Sequence, residues 1–188
     1  INDKGKPIYA IEGSVFIGGA VIQWIRDELN LIDNASESED IALSIDSTEG
    51  VYIVPAFLGL GAPHWDPDCR GIITGLTRGS NKKHIIRAAL ESIAYQVNDL
   101  LESIKKDFSI KSNVLNVDGG AANNNFLLQF QSDISNIKIN KPSNVESTAL
   151  GAGFLAGIKS GFWKNKENLF KKIKNDRTYK PKINNDRR

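Results

Sequence analysis

Val114-Leu-Asn-Val-Asp-Gly-Gly-Ala-Ala-Asn-Asn-Asn-Phe-Leu-Leu-Gln-Phe-Gln-Ser-Asp133 passes from a short apolar strand through a double-glycine turn into a helix. Val114, Leu115 and Val117 supply the strand, and Asp118 stands where it ends. Gly119 and Gly120 reach backbone angles closed to other residues and, lacking side chains, let a ligand approach the main chain. From Ala121 the spacing is helical: Ala122, Phe126, Phe130 and Ile134 fall four apart as one apolar stripe. The first N–H groups of such a helix have no internal partner and carry the positive end of its dipole, so they suit a phosphate or the polar edge of a nucleotide. The corner reads as a nucleotide site or as an ordinary tight strand-to-helix turn, since a glycine pair alone serves both.

Upstream of this corner, the longest periodic segment predicts a helix from Lys82 to about Lys106, capped by Ser80 or Asn81. Ile85, Ala89, Ile93, Val97 and Ile104 give it a nearly unbroken apolar stripe, the wall of a core. Glu91 beside that stripe is a site carboxylate or a salt-bridge partner at the helix margin. Two strands, Val51 to Phe57 and Gly71 to Thr77, flank a loop dense in glycine, proline and aromatics. His64, Asp66, Asp68 and Cys69 lie in that loop, but C-x-x-C and H-x-x-x-H spacings are missing, so a structural loop packed by Trp65 is expected and no metal site.

Nearer the start, Pro7 to Ile11 reads as a brief strand and Val15 to Leu29 as an amphipathic helix with Ser14 as its cap. Gly18 and Gly19 then fall inside the helical pattern, where each costs about 1 kcal/mol relative to alanine. Close packing or ligand contact would each explain them. Gln23, one turn after Gly19, points along the same face. Residues 33 to 50 are acidic and polar, with Asn34 to Asp40 a solvated segment followed by a short helix, and no chemistry is assigned to them. Beyond the corner, Ile137 to Ile139 is a short strand. Ala149, Gly153 and Gly157 leave a flat helix face suited to close packing.

Composition bounds these readings. The 188 residues are 40% hydrophobic and 24% charged, ordinary globular values, and the net charge of +2 gives no global argument for nucleic acid. The single cysteine, Cys69, excludes an internal disulfide framework and fits a reducing cytosol. No apolar run is long enough to span a bilayer. The sequence holds no methionine, which suggests a piece of a longer protein. Lys164 to Arg188 is rich in Lys, Arg and Asn, a polar, partly disordered tail expected to be solvated and not a nucleic-acid arm.

Four stretches together resemble the C-terminal domain of the FGGY carbohydrate kinases, above all those members that act on glycerol. These are Ile22-Gln-Trp-Ile-Arg-Asp-Glu-Leu29, Gly59-Leu-Gly-Ala-Pro-His-Trp-Asp66 leading to Gly71-Ile-Ile-Thr-Gly-Leu-Thr-Arg-Gly79, Ile86-Arg-Ala-Ala-Leu-Glu-Ser-Ile-Ala-Tyr-Gln96, and Val117-Asp-Gly-Gly-Ala-Ala-Asn-Asn124. The run from Gly71 through His84 to Glu91 matches that family's C-terminal signature. The resemblance covers residues 8 to about 165 and implies a ribonuclease-H-like α/β domain of the actin and hexokinase type, here without its first strands. It implies a kinase domain over residues 1–163 followed by the basic tail at 164–188. It further implies ATP with Mg²⁺ as cofactors, glycerol as small-molecule substrate, a cytoplasmic enzyme and a homo-oligomer in the intact protein. Carried over residue by residue, the family's ATP contacts fall on Gly19, Gln23, Gly120 and Asn124. The family's catalytic aspartate, in a Gly-Asp-x-Gln segment, and its Thr-Gly phosphate loop do not occur in this sequence. No catalytic residue is therefore assigned here, and Asp118 belongs to the adenosine corner and is not the base.

Overall fold

The structure, a computed structural model, describes residues 6–7, 9–109, 112–163, 169 and 175–184. Its elements follow in chain order as α1 (Ala20–Asp27), α2 (Glu37–Leu43), β1 (Tyr52–Val54), β2 (Ile72–Thr74), α3 (Lys82–Phe108), β3 (Val114–Asn116), a 3-10 turn (Gly120–Asn123), α4 (Asn125–Ser135), β4 (Lys138–Pro142), α5 (Ser147–Lys159) and β5 (Asn175–Tyr179).

The long helix α3 organises the packing. Asn81 caps it, its side chain accepting the Lys83 N–H at 2.9 Å, while the His84 ring accepts the Asn81 N–H at 3.1 Å, a reciprocal pairing that satisfies two otherwise orphaned donors. Ile86, Ala89, Leu90, Ile93 and Ala94 are buried on α3 against Val21, Ile22 and Ile25 of α1, Ile53 of β1, and Phe126 and Leu127 of α4. Truncating a fully buried member such as Ile25 or Leu90 to alanine costs about 2–5 kcal/mol. β1 and β2 form an antiparallel pair, Ile53 opposite Ile73. The second sheet has the order β3-β4-β5, with β3 parallel and β5 antiparallel to β4. Ile139 of β4 pairs with Tyr179 of β5, and the two close a small second core with Leu128 of α4.

Several expectations are corrected. Gly18 and Gly19 do not lie inside a helix: α1 begins at Ala20 with Gly19 as its cap, so neither glycine carries the interior penalty, and Ser14 caps nothing. The described part of the Pro7 to Ile11 segment is not a strand. Helix α4 starts at Asn125, later than the apolar spacing suggested, because Asn124 takes an extended conformation (φ −84°, ψ 108°) and separates it from the 3-10 turn. Trp65 does not pack its loop from inside. It is 64% exposed, with its ring edge-on to that of Phe16 at 6.4 Å. The loop is held instead by Asp66, whose carboxylate accepts the N–H groups of Asp68 and Cys69 at 3.0 Å each. Among the described residues the flat face of α5 is not closed by a helix: α5 buries none of its residues, and a Cβ on Gly157 would strike the ring of Trp163. Within the expected tail, residues 175–179 form β5, with Tyr179 buried, since Tyr179 and Thr178 extend an otherwise open sheet edge. The rest of the tail apart from 169 and 180–184 lies outside the described residues.

Candidate nucleotide-binding site

Between α1, α2 and the turn after β3 lies a cleft of about 700 Å³. It brings together all four residues singled out from the sequence: Gly19 and Gln23 on one wall, Gly120 and Asn124 on the other. The two walls approach closely, since a Cβ placed on Gly19 would lie 3.7 Å from that of Ala121.

The two glycines of the corner do different things. Gly119 sits at φ +82°, ψ 176°, a conformation essentially restricted to glycine, and this turns the chain out of β3. Its N–H donates to the Val145 carbonyl at 2.8 Å, which pins the turn to the segment leading into α5. Gly120 begins the 3-10 turn, and a Cβ there would meet nothing within 4 Å. Packing does not demand a glycine at that position, which lines the cleft.

Asn124 is more heavily committed than a free ligand amide. Its Oδ1 caps α4 by accepting the Leu127 N–H at 2.9 Å, and its Nδ2 donates to Ser38 Oγ at 3.2 Å. The Asn125 N–H, another orphan donor of α4, is taken by the Glu39 carboxylate at 2.6 Å. Two of the N–H groups at the start of α4 therefore already have side-chain acceptors. A carboxylate already sits at the positive end of the dipole, and a second anion there would be repelled. Gln23 is exposed and faces the same cleft. Arg26 also lines it, paired with Asp27 at 2.6 Å, an exposed pair in which the Asp27 carboxylate raises the guanidinium and is itself lowered by it.

Sequence reasoning missed the third wall. Ala35, Ser36, Ser38 and Glu39 line the cleft from α2 and the turn before it, although this acidic stretch was expected to be solvated. The carboxylates at the cleft are occupied: Asp118 accepts from the Ser147 hydroxyl, and Glu39 holds Asn125. Among the described residues, no group of three His, Cys, Asp or Glu side chains could hold a metal ion. Glu91 lies away from the cleft, buried and paired with Arg87 at 2.8 Å. A larger hollow of about 930 Å³, walled by Tyr52, Tyr95, Phe130 and Arg177, has no bare-backbone corner and contains none of the four candidate residues.

Comparison with known proteins places the chain in a family. Residues 1–160 match the family model described as the C-terminal domain of the FGGY family of carbohydrate kinases. The chain belongs to the FGGY family. Glycerol kinase of Thermoanaerobacter sp. is 55% identical over 184 residues, 98% of this chain and 37% of that protein. Glycerol kinase of Shewanella piezotolerans is 54% identical over 188 residues, 100% of this chain and 38% of that protein. The crystal structure of Plasmodium falciparum glycerol kinase with ADP matches at a TM-score of 0.88 and 39% identity, over 99% of this chain and 37% of that one. A ligand-bound xylulose kinase from Lactobacillus acidophilus matches at 0.76 and 28%, over 90% and 35%. This FGGY domain thus spans between a third and two fifths of the length of the relatives it matches. Its α/β architecture is that of the actin- and hexokinase-type ATPases, as the sequence motifs implied. Among the described residues, no helix is long and apolar enough to cross a membrane.

Proposed function

We propose that this chain is the nucleotide-binding side of an ATP-dependent glycerol kinase, which transfers the γ-phosphoryl group to a terminal hydroxyl of glycerol. The observation that carries the reading is the convergence of Gly19, Gln23, Gly120 and Asn124 on one cleft whose corner is bare backbone. The named glycerol kinases at 54–55% identity, and the ADP complex among the structural matches, support both nucleotide and substrate. In this reading the nucleoside lies against Gly120 and the capped Asn124. Gln23 offers its amide from the opposite wall, and the phosphates extend away from the Glu39 carboxylate. Mg²⁺ belongs to the proposal as the counter-ion of those phosphates, since it is characteristically held by one or two carboxylates together with substrate oxygens. The described residues offer it no cage of their own. A cytoplasmic homo-oligomer with no nucleic-acid partner completes the proposal. The xylulose kinase match keeps another polyol as the second reading, and a panel of polyol acceptors separates the two.

Gly120→Val in the complete enzyme is expected to weaken ATP binding about tenfold or more while the fold persists, because the added side chain enters open cleft and not packed core. Nucleotide titration of the folded variant tests this, and unchanged affinity would remove Gly120 from the site. Gln23→Ala should raise the Michaelis constant for ATP several-fold, the equivalent of one neutral hydrogen bond of about 1 kcal/mol, and leave that for glycerol alone. A larger effect on glycerol in steady-state kinetics would reverse the assignment of this wall.

A further inference from the structure

Building on the nucleotide reading of the cleft, we propose that Ser38 and Glu39 of α2 are positioning residues for nucleotide binding that act through Asn124 and Asn125. The Glu39 carboxylate accepts twice from Asn125, from its N–H at 2.6 Å and from Nδ2 at 2.8 Å. The Asn125 Oδ1 in turn accepts the Tyr179 hydroxyl at 2.5 Å, so this side chain is fixed from both ends. One residue earlier, Ser38 Oγ accepts from Asn124 Nδ2 at 3.2 Å while donating to the Ala35 carbonyl at 2.5 Å. Ser38 is 1% exposed, so this bond is sheltered from water. Asn124 caps α4 at the same time, and its amide plane is therefore set by two partners before any ligand arrives.

The clamp joins positions 86 residues apart and makes the start of α4 part of one wall with α2. Its bonds to a carboxylate are charge-assisted, and the negative charge sits where the helix dipole favours it. Two consequences follow for a ligand. The Gly120–Asn124 corner is held in its binding shape, so little ordering remains to be done on binding. The carboxylate also disfavours phosphate at this wall, which directs the uncharged end of the nucleotide towards it.

The test is steady-state kinetics of the complete enzyme carrying Glu39→Ala, Asn125→Ala, both together, or Glu39→Gln, with Gly120→Val in parallel and a melting curve for each. Each alanine variant is expected to raise the Michaelis constant for ATP about two- to tenfold, the equivalent of re-ordering one or two side chains, with that for glycerol moved less. The double variant should be no worse than the worse single one, because both remove the same link. Glu39→Gln, which keeps size and one acceptor, should fall between wild type and Glu39→Ala, and it carries the test if Glu39→Ala does not fold. A lowered melting temperature with an unchanged ATP constant would make the clamp purely structural and overturn the proposal. Effects that multiply in the double variant would also overturn it. If Gly120→Val too leaves ATP binding unchanged, the nucleotide reading of the cleft fails as a whole; if only the Glu39 variants do, the clamp alone fails.

Discussion

Residues 1–188 alone, assayed with ATP, Mg²⁺ and glycerol, are expected to turn over at least about a hundredfold more slowly than a complete glycerol kinase. A glycerol hydroxyl is a weak nucleophile and needs a positioned base, whose contribution is typically about 10²–10⁴-fold. The carboxylates that line the cleft are already used, Asp118 by Ser147 and Glu39 by Asn125. The chain also spans only 37% of its Thermoanaerobacter relative, so in this reading most of the surface that orients the acceptor lies elsewhere. Loss of activity here reports missing parts and not misfolding, so the assay is paired with circular dichroism. Turnover within about a hundredfold of the complete enzyme would mean that the base lies in this domain after all.

Arg87→Met is expected to destabilise the folded protein by about 3–5 kcal/mol, the range for breaking a buried ion pair from one side. Arg87 donates to Glu91 at 2.8 Å, to the Ala42 carbonyl at 3.3 Å and to the Ile45 carbonyl, and stacks over Phe126 at 5.0 Å. It therefore ties α3 to the end of α2 and to α4, the elements behind the cleft. Burial already pushes the Glu91 carboxyl up, against the opposing pull of Arg87. A carboxyl that titrates higher in the folded state than in the unfolded state keeps its proton longer when folded. Stability is therefore lost as pH rises from the ordinary carboxylate range through the raised value. Removing Arg87 raises Glu91 further and deepens that loss. The deficit of Arg87→Met should then be largest near neutral pH and shrink as pH falls to about 3, below the ordinary carboxylate range, where Glu91 is largely protonated in both states. Glu91→Leu in the same background should recover much of it. Urea unfolding at the two pH values tests this. A deficit under about 1 kcal/mol, or one independent of pH, would show that the pair is not what holds these helices. Tyr95, pushed up to about 12 chiefly by burial and next by Glu91, stays neutral throughout this range.

The local parts of this site were legible in the sequence. A strand, two glycines and an apolar stripe at intervals of four place Gly120 and Asn124 at a corner, and the turn between Gly19 and Gln23 follows from helical spacing. Local pattern could not show what Asn124 does with its amide, nor where α4 begins, because an extended residue between a 3-10 turn and a helix leaves the apolar spacing intact. It also mistook Gly18-Gly19 for helix interior, since periodicity continues through a cap. The larger omission was the part α2 plays in the cleft. Ser38 and Glu39 carry no periodic signal of their own and acquire a role only through partners 86 residues away. The same holds for Tyr179, whose burial depends on pairing with Ile139 and which composition alone assigned to a solvated tail.

Hydrogen–deuterium exchange of the complete protein with and without ADP shows where the nucleotide lies. Added protection is predicted in peptides covering residues 18–26, 34–40 and 118–125, the three walls of the cleft, and not in those covering 44–52 and 175–184 around the larger hollow. Saturating ADP that protects the second set and leaves 118–125 unchanged would contradict the assignment of the Gly119–Gly120 corner to the nucleotide.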